Sequence, residues 1–124
     1  QVRVELKMED VLHPSASAMQ QKYDVIVSNP PYICDKERTE MAGNVLAYEP
    51  ESALFVPDDD PLRFYRAIAG YGVQTLAEEG ALYFETNPLY INDVKEMLNT
   101  LGYKQIELRE DQFGKLRFTK AIRP

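Results

Sequence analysis

The tetrapeptide Asn29-Pro30-Pro31-Tyr32 combines residue types that can bind a planar amino group. The Asn29 side chain offers a carbonyl acceptor, and the Pro30 backbone carbonyl offers a second one. Pro31 stiffens the turn that aims this carbonyl, because its ring fixes one backbone angle. The Tyr32 ring presents a flat face on which a planar group can stack. Together these groups could hold both hydrogens of a planar NH₂ group.

A planar NH₂ group is a poor nucleophile, because its lone pair is delocalised. Acceptors that bind both of its N–H bonds favour a transition state in which the nitrogen is more pyramidal and positively charged. The tetrapeptide therefore predicts catalysis by positioning and electrostatics, without a general base. The alternative is that it only forms a tight turn at the end of a strand, as most Pro-Pro pairs do.

The apolar run Val25–Val27 precedes the tetrapeptide and is typical of a strand covered on both faces. The tetrapeptide would then lie at the carboxyl edge of the sheet, where ligands bind in open α/β folds. Alternating apolar residues over Val2–Met8 predict an earlier, half-buried strand.

The remaining pattern completes an α/β domain. Apolar residues at helical spacing predict one helix after Pro61, with Asp60 as its N-cap and Gly80 just after its end, and a second helix from Ile91 to Gly102. Between and after these helices we expect three strands, the last two forming an antiparallel hairpin: Ala81–Phe84, around Ile106–Leu108, and Leu116–Ile122. The order β–β–α–β–α–β–β is typical of an α/β sheet with an antiparallel strand near one edge.

Composition limits the function classes. The 124 residues suit one domain, and a net charge of −6 argues against a large phosphate-binding face. Cys34 is the only cysteine and His13 the only histidine, so an internal disulfide and a Cys/His zinc site within one chain are excluded. No stretch approaches the ~18 apolar residues of a membrane span, and we expect a cytoplasmic protein.

The segment Tyr23–Ile33, followed by Tyr48–Pro50 and Ala53-Leu54, resembles the HemK/PrmC family. Members are S-adenosylmethionine-dependent N5-glutamine methyltransferases that act on peptide chain release factors. The C-terminal end is also similar to that family, at Gly102-Tyr103, Asp111, Gly114 and Arg117-Phe118.

The resemblance implies a truncated Rossmann-like class I methyltransferase fold with an antiparallel C-terminal hairpin. Family members carry a Gly-rich loop after their first strand, and the six glycines here form no such motif. Residues 1–124 would therefore be the C-terminal portion of the catalytic domain, without its first two strands.

The resemblance also implies roles for the substrate side of the site. Asn29 and Pro30 would orient the substrate amide as catalytic residues, and Pro31, Tyr32 and Glu49 would complete the substrate pocket. Without the resemblance, Glu49 is interpreted as a loop residue.

On the cofactor side, the resemblance implies that Asp10 and Val11 contact the adenine of S-adenosylmethionine and that Asn29 faces the point of methyl transfer. The alternative for Asp10 is a solvated turn residue or helix cap. No metal is expected.

The function implied is methylation of a glutamine side-chain amide in release factors. The isolated chain would be inactive and would bind the cofactor weakly or not at all. The alternative enzyme is an N6-adenine DNA or RNA methyltransferase, although the negative charge and the lack of a basic stretch make direct nucleic-acid binding unfavourable. A third alternative is a non-catalytic binding or dimerisation module.

The family's strand order, 3-2-1-4-5-7-6, has a consequence for the edge of the sheet. The strand at Val2–Met8 would not neighbour the one at Val25–Val27, which would become an exposed apolar edge. We expect either the first strand to shift over and cover this edge, or a second copy to do so in a homodimer.

Overall fold

The structure is a computed structural model that describes residues 2–31, 33–34, 55–56 and 60–124. Within these residues, four strands form one sheet: β1 (Tyr23–Ser28), β4 (Leu76–Glu85), β5 (Lys104–Glu110) and β6 (Leu116–Ile122). Two short strands pair in parallel apart from it: β2 (Ile33–Cys34) and β3 (Phe55–Val56). The helices are α1 (Arg63–Thr75) and α2 (Ile91–Thr100), with short 3₁₀ turns at Ala18–Gln20 and Pro88–Tyr90.

The main sheet is mixed, in the order β1-β4-β6-β5. β1 and β4 run parallel, and β6 pairs antiparallel with both β4 and β5. This arrangement confirms the predicted α/β class, the two helices and the antiparallel hairpin at the C-terminal end.

One face of the sheet packs against both helices and forms the core. Leu82 and Phe84 of β4 are almost completely buried there, and the ring of Phe84 meets Tyr65 of α1 edge to face at 5.2 Å between centroids. The hydroxyl of Tyr103 donates to the carbonyl of Ala69 in α1 over 2.6 Å. Hydrophobic burial and this hydrogen bond tie both helices to the sheet.

The opposite face is open in the part of the chain that the structure describes. Val27 of β1, Tyr83 of β4 and Lys120 of β6 are directly paired and therefore point to the same side. Val25 and Val27 are 51% and 76% exposed. The expectation that this strand is covered on both faces is thus wrong, because both helices pack on the other side.

The expected strand at Val2–Met8 is also absent: residues 2–9 form no regular structure and are exposed. Alternating apolar residues form a strand only where a neighbouring strand can hydrogen-bond to their backbone. Among the described residues, no strand lies beside the Val2–Met8 segment. The edge of β1 is therefore not covered by this segment, and that part of the expectation is wrong as well.

The ends of α1 differ from the prediction. Asp60 does not cap the helix with its side chain; its carboxylate binds the Arg66 guanidinium at 3.0 and 3.2 Å. Gly80 lies in β4, because Leu76 already pairs with Tyr23 of β1. A Cβ at Gly80 would lie 2.8 Å from the carbonyl oxygen of Ala77, so the backbone requires glycine there for a different reason. α2 does end as predicted, before Gly102 with φ +93°.

Candidate functional site at the carboxyl edge of the sheet

Three strand ends meet at one edge of the sheet. Ser28, the last residue of β1, pairs with Phe84, and Glu85 at the end of β4 pairs with Phe118 near the start of β6. The carboxyl ends of the parallel pair therefore lie beside the beginning of an antiparallel strand. Asn29 and Pro30 follow β1 at this edge, as the sequence predicted.

The three described residues of the motif differ in exposure. Asn29 is exposed, whereas Pro30 is buried and Pro31 is half-buried. A buried proline with a fixed φ angle restricts the turn, and the exposed amide of Asn29 remains accessible to a ligand. Tyr32 and Glu49 lie outside the described residues, so their predicted roles stay predictions.

Asn29 opens into a cavity of about 650 Å³ on the open face of the sheet. Val27, Tyr83 and Phe118 supply apolar walls. Charged residues from β4, β5 and β6 also line it: Glu85, Arg109, Glu110 and Lys120. Sequence analysis did not assign these residues to the site, since only the β4–β6 and β5–β6 pairing brings them to Asn29.

The end of β4 is held by a buried polar cluster that sequence analysis also missed. Thr86 and Thr119 share a hydrogen bond of 2.9 Å between their hydroxyls, and the backbone N–H of Asn87 donates to the Tyr65 hydroxyl at 2.9 Å. The Asn87 side chain accepts from the N–H of Leu89. Because these polar groups are satisfied, they stabilise this edge at low cost. The sequence does contain a signal for this cluster, because the polar residues Thr86 and Asn87 and then Pro88 directly follow a buried strand.

A second cavity of about 520 Å³ lies between the N-terminal segment and β1. Its walls include Val11, Ile26 and Ile68 together with the aromatic residues Tyr23 and Tyr71. Apolar and aromatic walls of this kind suit a flat heteroaromatic ring.

Asp10 lies next to Val11 in a hydrogen-bonded turn. Its carboxylate accepts from the N–H of Leu12 at 3.0 Å, and its carbonyl accepts from the N–H of His13 at 2.9 Å. The turn fits the alternative interpretation of Asp10 as a solvated turn residue, and it also holds Val11 in the wall of the second cavity.

Two titratable side chains that line this cavity have pKa values shifted from their usual range. Burial, followed by the hydrogen bond with Tyr23, raises the pKa of Tyr71, so its hydroxyl stays protonated and donates to the carbonyl of Ala18 at 2.9 Å. Hydrogen bonds from the hydroxyl and N–H of Ser15 lower the pKa of Glu9, which stays ionised. The cavity is thus lined by the neutral phenol of Tyr71 and the ionised carboxylate of Glu9.

The structure does not place Asn29 and Val11 in one cavity. Instead Val27 and Ser28 line both cavities, since they lie on β1 between them. Among the described residues, no three His, Cys, Asp or Glu side chains converge as metal ligands. Neither helix of the described chain is long and apolar enough to span a membrane.

Comparison with known proteins gives a consistent result, although no family model matches the chain. The chain is 48% identical to a release factor glutamine methyltransferase of Bacteroides thetaiotaomicron over 122 residues, which cover 98% of this chain and 43% of that protein. Proteins of the same name from Flavobacterium psychrophilum and Streptococcus pneumoniae are 42% and 41% identical, over 83% and 78% of this chain and 36% and 35% of their own length.

These relatives are all named as methyltransferases. The chain belongs to their family, that of the release factor glutamine methyltransferases, which confirms the HemK/PrmC resemblance. The chain spans less than half the length of the curated relatives it matches.

Proposed function

We propose that this chain is the C-terminal portion of an enzyme that transfers a methyl group from S-adenosylmethionine to the side-chain amide nitrogen of a glutamine in a release factor. The observation that carries the proposal is the 48% identity to the Bacteroides enzyme over almost the whole chain. The position of Asn29 and Pro30 at the carboxyl end of a parallel strand supports it.

A truncated Rossmann-like fold over residues 1–124 agrees with the sheet. The observed order β1-β4-β6-β5 corresponds to the last four positions of the order 3-2-1-4-5-7-6. In that order the missing strands would continue the sheet beyond β1, whose edge has no strand beside it in the described chain. Val25 and Val27 are then residues that the rest of the enzyme covers.

In the proposed mechanism, the Asn29 side-chain carbonyl and the Pro30 carbonyl accept the two hydrogens of the glutamine amide. As positive charge develops on the nitrogen, both hydrogen bonds strengthen and lower the barrier. S-adenosylmethionine, when bound, supplies an electrophilic methyl group on a sulfonium. The nitrogen would gain the N–C bond as the sulfonium S–CH₃ bond breaks and the sulfur leaves as a neutral thioether. The nitrogen would then lose one proton to solvent, so this step needs no general base from the chain.

We assign the adenine end of the cofactor to the second cavity, and its apolar and aromatic walls support this assignment. Val11 would pack against the ring and Asp10 would accept a hydrogen bond at its edge. The Gly-rich loop that the resemblance assigns to the rest of the site has no counterpart here, and the isolated chain is therefore inactive and binds the cofactor weakly. The setting is the cytoplasm.

A second candidate rests on the open edge of β1. An edge strand with exposed Val25 and Val27 can pair with another strand, so the isolated chain could form a homodimer through this edge. Light scattering distinguishes a dimer from a monomer. Calorimetry with S-adenosylmethionine in the same samples tests the cofactor claim, and micromolar affinity of the isolated chain would contradict it.

The proposed reaction is tested in a full-length enzyme in which this chain replaces the 122 matched residues of the Bacteroides protein. We expect the release factor of that organism to accept a labelled methyl group, and Asn29→Ala to reduce kcat by about 10²–10³-fold through loss of one transition-state hydrogen bond. The control is Asn99→Ala on the exposed side of α2, which should leave kcat unchanged.

Two results would refute the proposed function. One is undiminished turnover by the Asn29→Ala enzyme. The other is methylation of DNA or RNA but of no release factor, which would favour the adenine methyltransferase.

A further inference from the structure

The turn between β5 and β6 is held rigidly by one carboxylate. Asp111 accepts hydrogen bonds from the N–H of Phe113 at 2.8 Å, the N–H of Lys115 at 3.0 Å and the Arg117 guanidinium at 2.9 Å. These bonds lower the pKa of Asp111, the Lys115 contact contributing most, so the carboxylate stays ionised at neutral pH. Gly114, with φ +79°, provides the left-handed conformation that the turn requires.

This turn lies at the same edge of the sheet as Asn29. Glu110 and Leu116 pair at the base of the turn, and the cavity beside Asn29 extends to Glu110 and Phe118. β1 and β6 are separated by β4 alone, so β6 lies about 10 Å from β1 across the sheet, which is two strand spacings. Thr119 of β6 is level with Ser28, since both pair with Phe84, and the turn begins three residues further out at Leu116. The turn therefore lies about 15 Å from the end of β1.

The turn presents an aromatic side chain to solvent. Phe113 is 83% exposed, although its backbone is fixed by Asp111. Leu89, in the connection after β4, is 65% exposed. An aromatic side chain on a pre-organised turn loses little conformational entropy when a partner covers it, as at the anchor residues of protein interfaces.

We infer that the β5–β6 turn, through Phe113, contacts the polypeptide substrate about five residues away from the glutamine that is modified. The inference rests on the proposed function, because a glutamine held at Asn29 belongs to a polypeptide that continues past the site in both directions. An extended chain advances about 3.3 Å per residue, so about five residues cover the distance of about 15 Å to the turn. The occupant is an apolar side chain of the acceptor protein, packed against the Phe113 ring.

The test uses the same full-length enzyme and the Bacteroides release factor. Phe113→Ala should raise the KM for the release factor about tenfold, and it should leave kcat and the KM for S-adenosylmethionine within twofold. Phe113→Leu keeps an apolar contact and should recover most of the loss. Glu96→Ala, an exposed residue on α2 away from this edge, should behave as wild type.

The outcomes separate this inference from the proposed function. An unchanged KM for the release factor in the Phe113→Ala enzyme, while the wild type methylates it, overturns the inference alone. A parallel change in kcat or in the KM for S-adenosylmethionine shows a structural role and also overturns it. A wild-type enzyme that methylates no release factor overturns both.

Discussion

The two faces of the four-stranded sheet are built differently. On one face, Leu82 and Phe84 are buried under α1 and α2. On the other, Val25, Val27 and Tyr83 are partly or largely exposed, and no helix of the described residues covers them. The two faces alternate along β4, where Tyr83 lies between Leu82 and Phe84 and points to the opposite side.

The difference shows which part of the fold this chain completes by itself. The helix-covered face has its own packing and hydrogen bonds, and it supports the edge at which Asn29 lies. The open face exposes side chains that strands of α/β sheets normally bury. We therefore interpret the open face as the surface on which the remainder of the proposed enzyme packs.

The largest effect is expected on the covered face. Phe84→Ala removes a fully buried ring that contacts Tyr65, and it should lower the free energy of unfolding of the chain by ~3–5 kcal/mol. Urea denaturation followed by circular dichroism measures this loss. A loss below ~1 kcal/mol would contradict our interpretation that packing on the helix-covered face stabilises the isolated chain.

A smaller, conditional effect is expected on the open face. Val27→Ala should change the stability of the isolated chain by less than ~0.5 kcal/mol, because the side chain is already exposed. In the full-length enzyme the same substitution should cost about 2 kcal/mol, through lost burial. Equal effects in the two proteins would contradict our interpretation of the open face.

A third effect, smaller than that of Val27→Ala in the full-length enzyme, is expected from one hydroxyl of the covered face. Tyr103→Phe removes the hydrogen bond to Ala69 and should destabilise the chain by about 1 kcal/mol at pH 7. Burial raises the pKa of Tyr103 to about 12, an effect that Arg123 partly opposes. The unfolded chain loses this proton near pH 10, so the stabilisation is complete below pH 10 and declines as the pH rises towards 12.

The stability difference between wild type and Tyr103→Phe should accordingly narrow between pH 10 and 12. Denaturation curves of both proteins at pH 8, 10 and 11.5 measure it. A constant difference across this range would show that Tyr103 does not remain protonated in its buried position.

Local patterns predicted the elements that have complete packing partners. The apolar stripe of α2, its end before Gly102 and the strand Ala81–Phe84 all follow from residue spacing and backbone preference. The prediction failed at Val2–Met8, where alternation is present but no neighbouring strand is. It also failed at Gly80, where pairing of Leu76 with Tyr23 ends α1 earlier than the glycine suggests.

The candidate site likewise combines residues that local sequence patterns indicated with residues that only strand pairing brings there. Residue types alone indicated Asn29 and Pro30, because consecutive prolines after a buried strand leave few other conformations. The charged residues of the cavity, Arg109 and Lys120, and the turn at Asp111 could not be placed there by sequence. They are 80 or more residues from Asn29 along the chain and reach it through the pairing of β1 with β4, β4 with β6 and β6 with β5, which no local preference specifies.

For this protein, the amino-acid sequence by itself determined the family, the helices and the candidate motif Asn29-Pro30-Pro31-Tyr32, because these depend on residue types at short spacing. Only the tertiary structure decided which face of the sheet is covered and which side chains share a cavity with Asn29. Burial and cross-strand contact depend on segments far apart in the chain, and their free energy exists only after those segments have come together.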